Sequence, residues 1–400
     1  MKPSQSLSRR SFVQTLSLGS AGLTLAAASQ AAEKVIPGFE KAKPEADVSK
    51  DWKPVSDRRI RVGLAGYGVC KFATAFGFQD HPNVEVVAVS DLIPDRCAEL
   101  AKVARCAKTY SSCEELVKDD KIEAVFIATD APSHARLAVQ ALKQGKHVAS
   151  AVPAVFGSLE DAEELFKAVQ VSGRKYMMFE TSYYHADVHA MREIYRAGGF
   201  GKLVYSEGEY YHYMDTPIDS YKGWRVGLPP QWYPTHSNAY YVGVTGGSFT
   251  EVSCMGMPSK IEHLLPANNP YKNPFGTEIA MFRTSEGGMS RMAVSWDSPG
   301  NGGEMGRIRG QTGSFYNNKY DGLEANTKEY QRPPLPPSVQ PGGHGGSHGY
   351  LMNEFVLSIL QDRTPLVDVA QALNMTVAGI VAHKSAMKGG ELLKIPQFKL

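Results

Sequence analysis

Two glycines and one carboxylate form the first constellation with chemistry in it. The run Arg61-Val62-Gly63-Leu64-Ala65-Gly66-Tyr67-Gly68-Val69-Cys70-Lys71 sets Gly66 and Gly68 between an apolar stretch and a helical pattern. Gly66 permits a tight turn. Gly68, followed by Val69, lets the backbone approach a pyrophosphate held on a helix N-terminus. Lys71 replaces the third glycine of the usual spacing, so the glycine pair alone fits a plain strand-to-helix turn equally well. Asp91 adds the second signal. It ends the next apolar run, Val84 to Ser90, about 20 to 25 positions on, where a carboxylate accepts the ribose hydroxyls of an adenosine. Together these residues predict a dinucleotide site. Leu92 stands beside Asp91 instead of an arginine, and a carboxylate repels a 2'-phosphate, so NAD is favoured over NADP.

The elements that must position these groups follow from periodicity. Short apolar runs at Ile60 to Ala65, Val84 to Ser90, Ala124 to Ala128 and His147 to Ser150 alternate with helical patterns. That rhythm predicts a doubly wound parallel sheet. Ser158-Leu159-Glu160-Asp161 has capping-box spacing, so a helix is expected from Leu159. Beyond Glu180 the strand-like stretches Leu203 to Tyr213, Ser248 to Cys254, Glu278 to Arg283, Met289 to Trp296 and Arg307 to Gln311 follow one another without helices between them. A mostly antiparallel sheet is expected there. Helices near Tyr350 to Gln361 and Val369 to Met387 close the chain. The fold class is therefore α/β: an N-terminal Rossmann doubly wound parallel sheet, then a C-terminal α/β domain with a large, mostly antiparallel open sheet.

Further motifs resemble a known family. Ile127-Ala128-Thr129, His134, Ala138, Ala141-Leu142 and Gly145-Lys146-His147-Val148 are similar to the A-T-P-N, H, L-A and G-K-H-V pattern of the Gfo/Idh/MocA oxidoreductases. The resemblance runs from Arg59 onward. It implies a Rossmann domain and a second domain whose open sheet holds a sugar or polyol over the nicotinamide, with Thr129, His134 and Pro153 beside the cofactor. It also implies association of copies through the open sheet. Ordinary dehydrogenases of this family carry Glu-Lys-Pro after G-K-H-V, the lysine helping to take the hydroxyl proton. This chain reads Ala151-Val152-Pro153-Ala154, and that lysine is absent.

Val152-Pro153-Ala154 instead resembles the family's NAD-dependent glycosidase branch, which includes alpha-N-acetylgalactosaminidases, although Ala151 stands where that branch has glutamate. Met177-Met178-Phe179-Glu180 running to Tyr184, Trp232-Tyr233-Pro234-Thr235-His236, and Gly342-Gly343-His344-Gly345-Gly346 point to the same branch. The resemblance implies that Tyr184 and His236 lie beside the nicotinamide as the catalytic pair, with tightly bound NAD used as a resident catalyst. The implied cycle oxidises carbon 3 of the sugar, eliminates the aglycone, adds water and restores the hydroxyl. Three functions stay open at this point: this redox-neutral glycosidase or a related lyase, a conventional sugar or polyol dehydrogenase, and a non-catalytic sugar-binding homologue.

For substrate, Arg225 offers a planar fork of donors to sugar hydroxyls, or a surface ion pair; Trp224 offers a stacking face, or a core indole. Tyr233 belongs to the substrate set through its motif. His344 and His348 have an H-x-x-x-H spacing, but no third ligand accompanies them, so His344 is assigned to substrate and no metal is expected. In Tyr210-Tyr211-His212-Tyr213 alternate side chains must face opposite sides of a strand, so only half of them can line a pocket. None of the four is assigned to catalysis.

The remaining inferences come from composition. With 43 Lys and Arg against 41 Asp and Glu, the formal net charge is +2, and there is no basic footprint for nucleic acid. The five cysteines include no C-x-x-C pair, which fits free thiols better than a disulfide framework. Ser8-Arg9-Arg10-Ser11-Phe12-Val13, followed by an uncharged apolar stretch from Leu16 to Ala28, reads as a twin-arginine signal. That stretch is shorter than a spanning helix, so no stable membrane anchor is expected. The expected division is a signal over 1–32, a linker over 33–57, an NAD-binding domain over 58–180 and a substrate-binding catalytic domain over 181–400. The expected partners are a sugar or glycoside and the twin-arginine export machinery, with the mature protein periplasmic or otherwise exported.

Overall fold

The computed structural model describes residues 48–323 and 330–400. The expected twin-arginine signal and most of the expected linker lie outside the described residues. The first sheet holds β1 (Ile60–Ala65), β2 (Val84–Ser90), β3 (Thr109–Tyr110), β4 (Ala124–Ile127), β5 (His147–Ser150) and β6 (Tyr176–Met178). They are all parallel, in the order β3-β2-β1-β4-β5-β6. This is the Rossmann order, whose reversal beside β1 opens a crevice at the strand carboxyl ends. The helices between these strands are α1 (Phe72–Ala75), α2 (Pro94–Val103), α3 (Cys113–Leu116), α4 (His134–Lys143) and α5 (Leu159–Ser172). Every residue of β4, Ala-Val-Phe-Ile, is buried, as a strand covered on both faces requires. Ser158 caps α5 by accepting the Asp161 N–H at 3.0 Å.

After α6 (Ala186–Arg196) comes the second sheet. Its strands are β7 (Leu203–Tyr211), β8 (Phe249–Pro258), β9 (Phe275–Thr284), β10 (Met289–Ser295), β11 (Gly303–Gly310), β12 (Gly313–Tyr316), β13 (Lys319–Gly322) and β14 (Leu393–Lys394), in the order β13-β12-β11-β7-β10-β9-β8-β14. Only the β7–β10 pair is parallel. The expectation of an uninterrupted run of strands differs from the structure in one respect that matters. Between β7 and β8 the chain makes two single-turn helices, α7 (Thr235–Asn238) and α8 (Val242–Thr245), and α7 carries His236. The β12–β13 hairpin and the two-residue strands β3 and β14 had no counterpart among the expected elements.

One face of the second sheet packs on α10 (Val369–Ala386), which follows α9 (His348–Leu360). Along β9, Glu278, Ala280, Phe282 and Thr284 point inward, while Ile279, Met281 and Arg283 are exposed, as are Met255, Met257 and Met289 on the flanking strands. Glu278 is fully buried and pairs with His383 of α10 at 2.8 Å. Its second oxygen accepts the Gln231 N–H at 2.8 Å. One buried carboxylate therefore ties sheet, helix and the turn leading into Tyr233 and His236, and removing one member of such a pair costs about 3–5 kcal/mol. An aromatic cluster joins α9 to the first sheet: Phe126 of β4 and Phe179 stand 4.9 Å apart, Phe76 lies 5.0 Å from Phe179, and Phe355 of α9 packs 6.1 Å from Phe179. Each such ring pair adds about 0.5–1.5 kcal/mol beyond area burial. Phe76 and Phe179 also line the smaller of the two cavities described next.

Candidate active site

A cavity of ≈ 220 Å³ opens at the carboxyl ends of β1, β2 and β4. Gly66, Gly68, Val69, Asp91, Thr129 and His134 all line it, so most of the predicted cofactor residues meet in one place. Gly66 has φ +94°, and a Cβ there would sit 2.5 Å from the Ala128 carbonyl oxygen. No other residue allows β1 to turn so close to the end of β4. A Cβ on Gly68 would meet nothing within 4 Å, which leaves the backbone open toward the cavity. Asp91 accepts the Tyr67 N–H at 2.6 Å and the Ile93 N–H at 2.8 Å, one on each oxygen. Each oxygen keeps a lone pair for a ribose hydroxyl. Ser90 Oγ and Thr129 Oγ1 are buried in the wall with no hydrogen-bond partner. Open backbone, a fixed carboxylate and two orphaned hydroxyls fit a dinucleotide.

Two details of this wall depart from expectation. Pro153 is not in the wall; its carbonyl stands behind, 2.9 Å from His134 Nδ1, and braces that ring. Burial lowers the pKa of His134, so the ring serves as a neutral strut. The helix after the glycine loop is also a single turn, with Lys71 at φ 48° before it. A four-residue helix supplies little dipole to an anion.

Adjoining this cavity is a tighter cleft of ≈ 30 Å³, lined by Thr181, Tyr210, His212, Ile218, Arg225, Tyr233, His236 and His344 among others. His236 reaches it because β7 carries Gly208, where a Cβ would fall 2.1 Å from the Ser237 carbonyl oxygen. Only glycine lets α7 lie on the sheet. His236 Nδ1 is 2.8 Å from Glu180 Oε1 and 3.6 Å from Glu304 Oε1. Glu180 follows β6 and accepts the Ser182 N–H at 2.9 Å; Glu304, on β11, accepts the Ser182 hydroxyl at 2.5 Å. His185 Nε2 lies 3.4 Å from the same Glu304 oxygen. Every hydrogen bond and ion pair of His236 thus uses Nδ1, and among the described residues none is made to Nε2.

Electrostatics sharpen the picture. Burial alone would lower the His236 pKa, but the Glu180 and Glu304 charges outweigh it and raise the imidazole to about 9. Burial opposes ionisation of both carboxylates, yet each stays below its ordinary value because the imidazolium faces it. The three side chains act as one buried unit with a single shared proton and a net negative charge.

The structure separates Tyr184 from this unit. Its ring stacks on Tyr350 at 5.7 Å, it lines neither cavity, and burial holds its hydroxyl well above the usual range. The 3-10 turn Thr181–Tyr184 points Thr181, not Tyr184, at His236. The phenols facing the cleft are Tyr233 and Tyr210. Tyr210 packs edge-on to His236 at 4.7 Å, and its hydroxyl is 3.0 Å from His212 Nδ1. Trp224 lines the dinucleotide cavity and not the His236 cleft, whereas Arg225 lines both. His344 faces the cleft; burial, then His348, lowers its pKa to about 3, so it is a neutral hydrogen-bonding group joined to His348 at 2.9 Å. Ala151 and Val152 line both cavities with apolar surface. Among the described residues no cluster of three His, Cys, Asp or Glu is placed to hold a metal.

Residues 60–180 match the family described as "Oxidoreductase family, NAD-binding Rossmann fold", the Gfo/Idh/MocA group. Over nearly its whole length the chain is similar to the glycosyl hydrolase family 109 protein of Solibacter usitatus, at 24% identity across 98% of this chain and 97% of that one. Solved structures share the fold. Levoglucosan dehydrogenase in complex with NADH and levoglucosan superposes with a TM-score of 0.67 at 18% identity, covering 85% of this chain and 100% of that one. The WlbA dehydrogenase of Bordetella pertussis, in complex with NADH and UDP-GlcNAcA, gives 0.66 at 17% identity over 86% and 100%.

Proposed function

We propose that this chain is an exported, NAD-dependent enzyme that cleaves a glycoside through temporary oxidation of a sugar hydroxyl, with no net redox change. The observation that carries this reading is the buried His236–Glu180–Glu304 unit, whose imidazole lines a cleft adjoining the dinucleotide cavity and makes no hydrogen bond or ion pair through Nε2 among the described residues. The likeness to glycosyl hydrolase family 109 proteins supports glycoside chemistry over plain dehydrogenation. Bound NAD would be held by Gly66, Gly68, Val69, Asp91 and Thr129 and would supply an acceptor and donor of two electrons.

The chain's own residues handle protons. In its neutral form His236 takes the proton of the carbon-3 hydroxyl at Nε2 and returns it when that hydroxyl is restored. Its Nδ1–H stays on Glu180, which fixes the tautomer and the ring plane. Once carbon 3 is a ketone, the hydrogen on carbon 2 becomes acidic; its proton passes to solvent as the aglycone leaves carbon 1 and takes up a proton, and water then adds across the double bond, its hydroxyl to carbon 1 and its proton to carbon 2. Tyr233 and His344 supply donors around the ring, while Ala151 and Val152 keep the intervening wall dry.

His236→Ala should lower aglycone release from the cognate aryl glycoside by about 10²- to 10⁴-fold. NAD carried through purification should stay bound, since His236 does not line the dinucleotide cavity. Turnover at the wild-type rate in that variant contradicts the assignment. NADH absorbance that builds up with sugar, without aglycone release, points to a conventional dehydrogenase. Inertness of the wild type in both assays points to a binding protein.

Export rests on Arg9-Arg10 and the apolar stretch behind them, and all five cysteines are free thiols, as in a protein folded before translocation. Replacing both arginines with lysine should leave the protein in the cytoplasm of a producing bacterium; unchanged delivery to the periplasm argues against a twin-arginine route.

A further inference from the structure

The loop from Met214 to Gly227 contributes lining residues to both cavities, Asp219 to Lys222, Trp224 and Arg225 to the larger and Ile218 and Arg225 to the smaller. A single side chain pins its two ends: His263 Nε2 lies 3.0 Å from the Met214 carbonyl, and the Gly227 N–H reaches His263 Nδ1 at 3.4 Å. Both contacts are satisfied by one tautomer, with Nε2–H donating and Nδ1 accepting. The Tyr271 hydroxyl donates to the Trp224 carbonyl at 2.6 Å, and Asn273 Nδ2 donates to the Gly227 carbonyl at 3.3 Å. The loop base is therefore fastened to the second sheet's side of the molecule. Its middle, Asp219 to Lys222 with Trp224 and Arg225, forms a wall of the same cavity that Gly66 to Phe72 line.

Charge distribution shows what this wall faces. Five cations line the cavity. Lys71 pairs with Glu99 at 2.6 Å, Arg136 with Glu114 at 2.8 Å, and Arg96 with Asp219 at 4.0 Å. Lys222 and Arg225, both on the loop, have no carboxylate partner among the described residues. Arg225 lies over the Trp224 ring at 4.0 Å and places Nη2 3.9 Å from Cys70 Sγ, so it stands directly against the glycine-rich turn. A half-buried guanidinium without a counter-charge, next to backbone that is open for an anion, has an obvious complement in a diphosphate. The single-turn α1 makes that cation more necessary, because it offers little dipole of its own.

We propose that the Met214–Gly227 loop is a clasp that closes over the diphosphate of the bound dinucleotide, with Arg225 as the counter-charge, and that this clasp makes the cofactor a resident group. The inference rests on the reading that a dinucleotide occupies the larger cavity. It places a specific retention device in the second half of the chain, outside the Rossmann sheet.

The test uses the full mature chain, freed of nucleotide and reloaded with NADH, whose fluorescence reports its release during a chase with excess NAD. Arg225→Gln should release NADH about ten- to a hundredfold faster than wild type. ADP-ribose, which has the diphosphate and lacks nicotinamide, should lose affinity by a similar factor, and adenosine should lose none. His263→Asn leaves the cavity wall intact but unpins the loop, and it should also speed release, which keeps the proposal testable if either variant folds poorly. Wild-type release rates in a folded Arg225→Gln protein overturn the clasp. If the wild-type chain binds neither NADH nor ADP-ribose, the dinucleotide reading itself fails, and the proposal with it.

Discussion

At the scale of single residues, the site turns on how two carboxylates treat one imidazole. With Glu180 and Glu304 both charged, His236 keeps its proton up to about pH 9. If neutral His236 is the base, kcat/KM rises with pH toward that value. Glu180, Thr181, Glu304, Tyr210, Tyr233 and His344 face the ring from the elements around it, and only the two glutamates raise its pKa. Glu304→Gln should therefore shift the rising limb to lower pH by about one unit or more while Glu180 holds the ring in place. A profile whose limb stays put would contradict the three-member unit. Gly66, Gly68 and Asp91 were legible because a strand-turn-helix fixes their separation locally. Glu304 was not: nothing near Gly302-Gly303-Glu304-Met305 marks a buried carboxylate, and its role comes from the β11–β7 register that sets it opposite Tyr210. Glu180 lay inside a recognised segment, yet only the turn that follows shows that it, and not Tyr184, meets His236.

At the scale of elements, placement depends on close approaches that only the assembled sheets reveal. The alternating apolar runs of the first sheet read correctly from sequence because each strand is covered on both faces. The one-turn helices α7 and α8 did not, since four residues give no helical period to detect. They exist because Gly208 admits the Ser237 backbone and because Glu278 and His383 hold the preceding turn. The β1 turn obeys the same rule, and it permits a direct test. Gly66→Ala puts a Cβ 2.5 Å from the Ala128 carbonyl at a φ of +94°, a cost on the order of a few kcal/mol. The variant should fold with a lower Tm and fail to retain NAD. Full cofactor content after purification would show that the turn does not shape the cavity.

At the scale of the whole molecule, the two sheets divide the chemistry. The parallel sheet supplies the larger cavity and, just past β6, Glu180; the second sheet supplies Glu304 and leads into the loop that lines the cavity; and α10 touches both, with Met178 N–H donating to the Val367 carbonyl at 3.1 Å just before that helix. The proposed export would leave the enzyme without an evident pool of free NAD to exchange with, so a cycle that restores its own cofactor suits both the proposed export and the proposed clasp. The most direct test of that cycle is to incubate the purified mature protein in heavy water, with no NAD added, with aryl glycosides of both anomers. NMR then follows aglycone release and the hydrogen on carbon 2 of the sugar product. The account predicts aglycone release with deuterium incorporated at carbon 2. Aglycone release with carbon 2 still fully protiated would contradict it, because the bond would then have been cleaved without passage through the ketone.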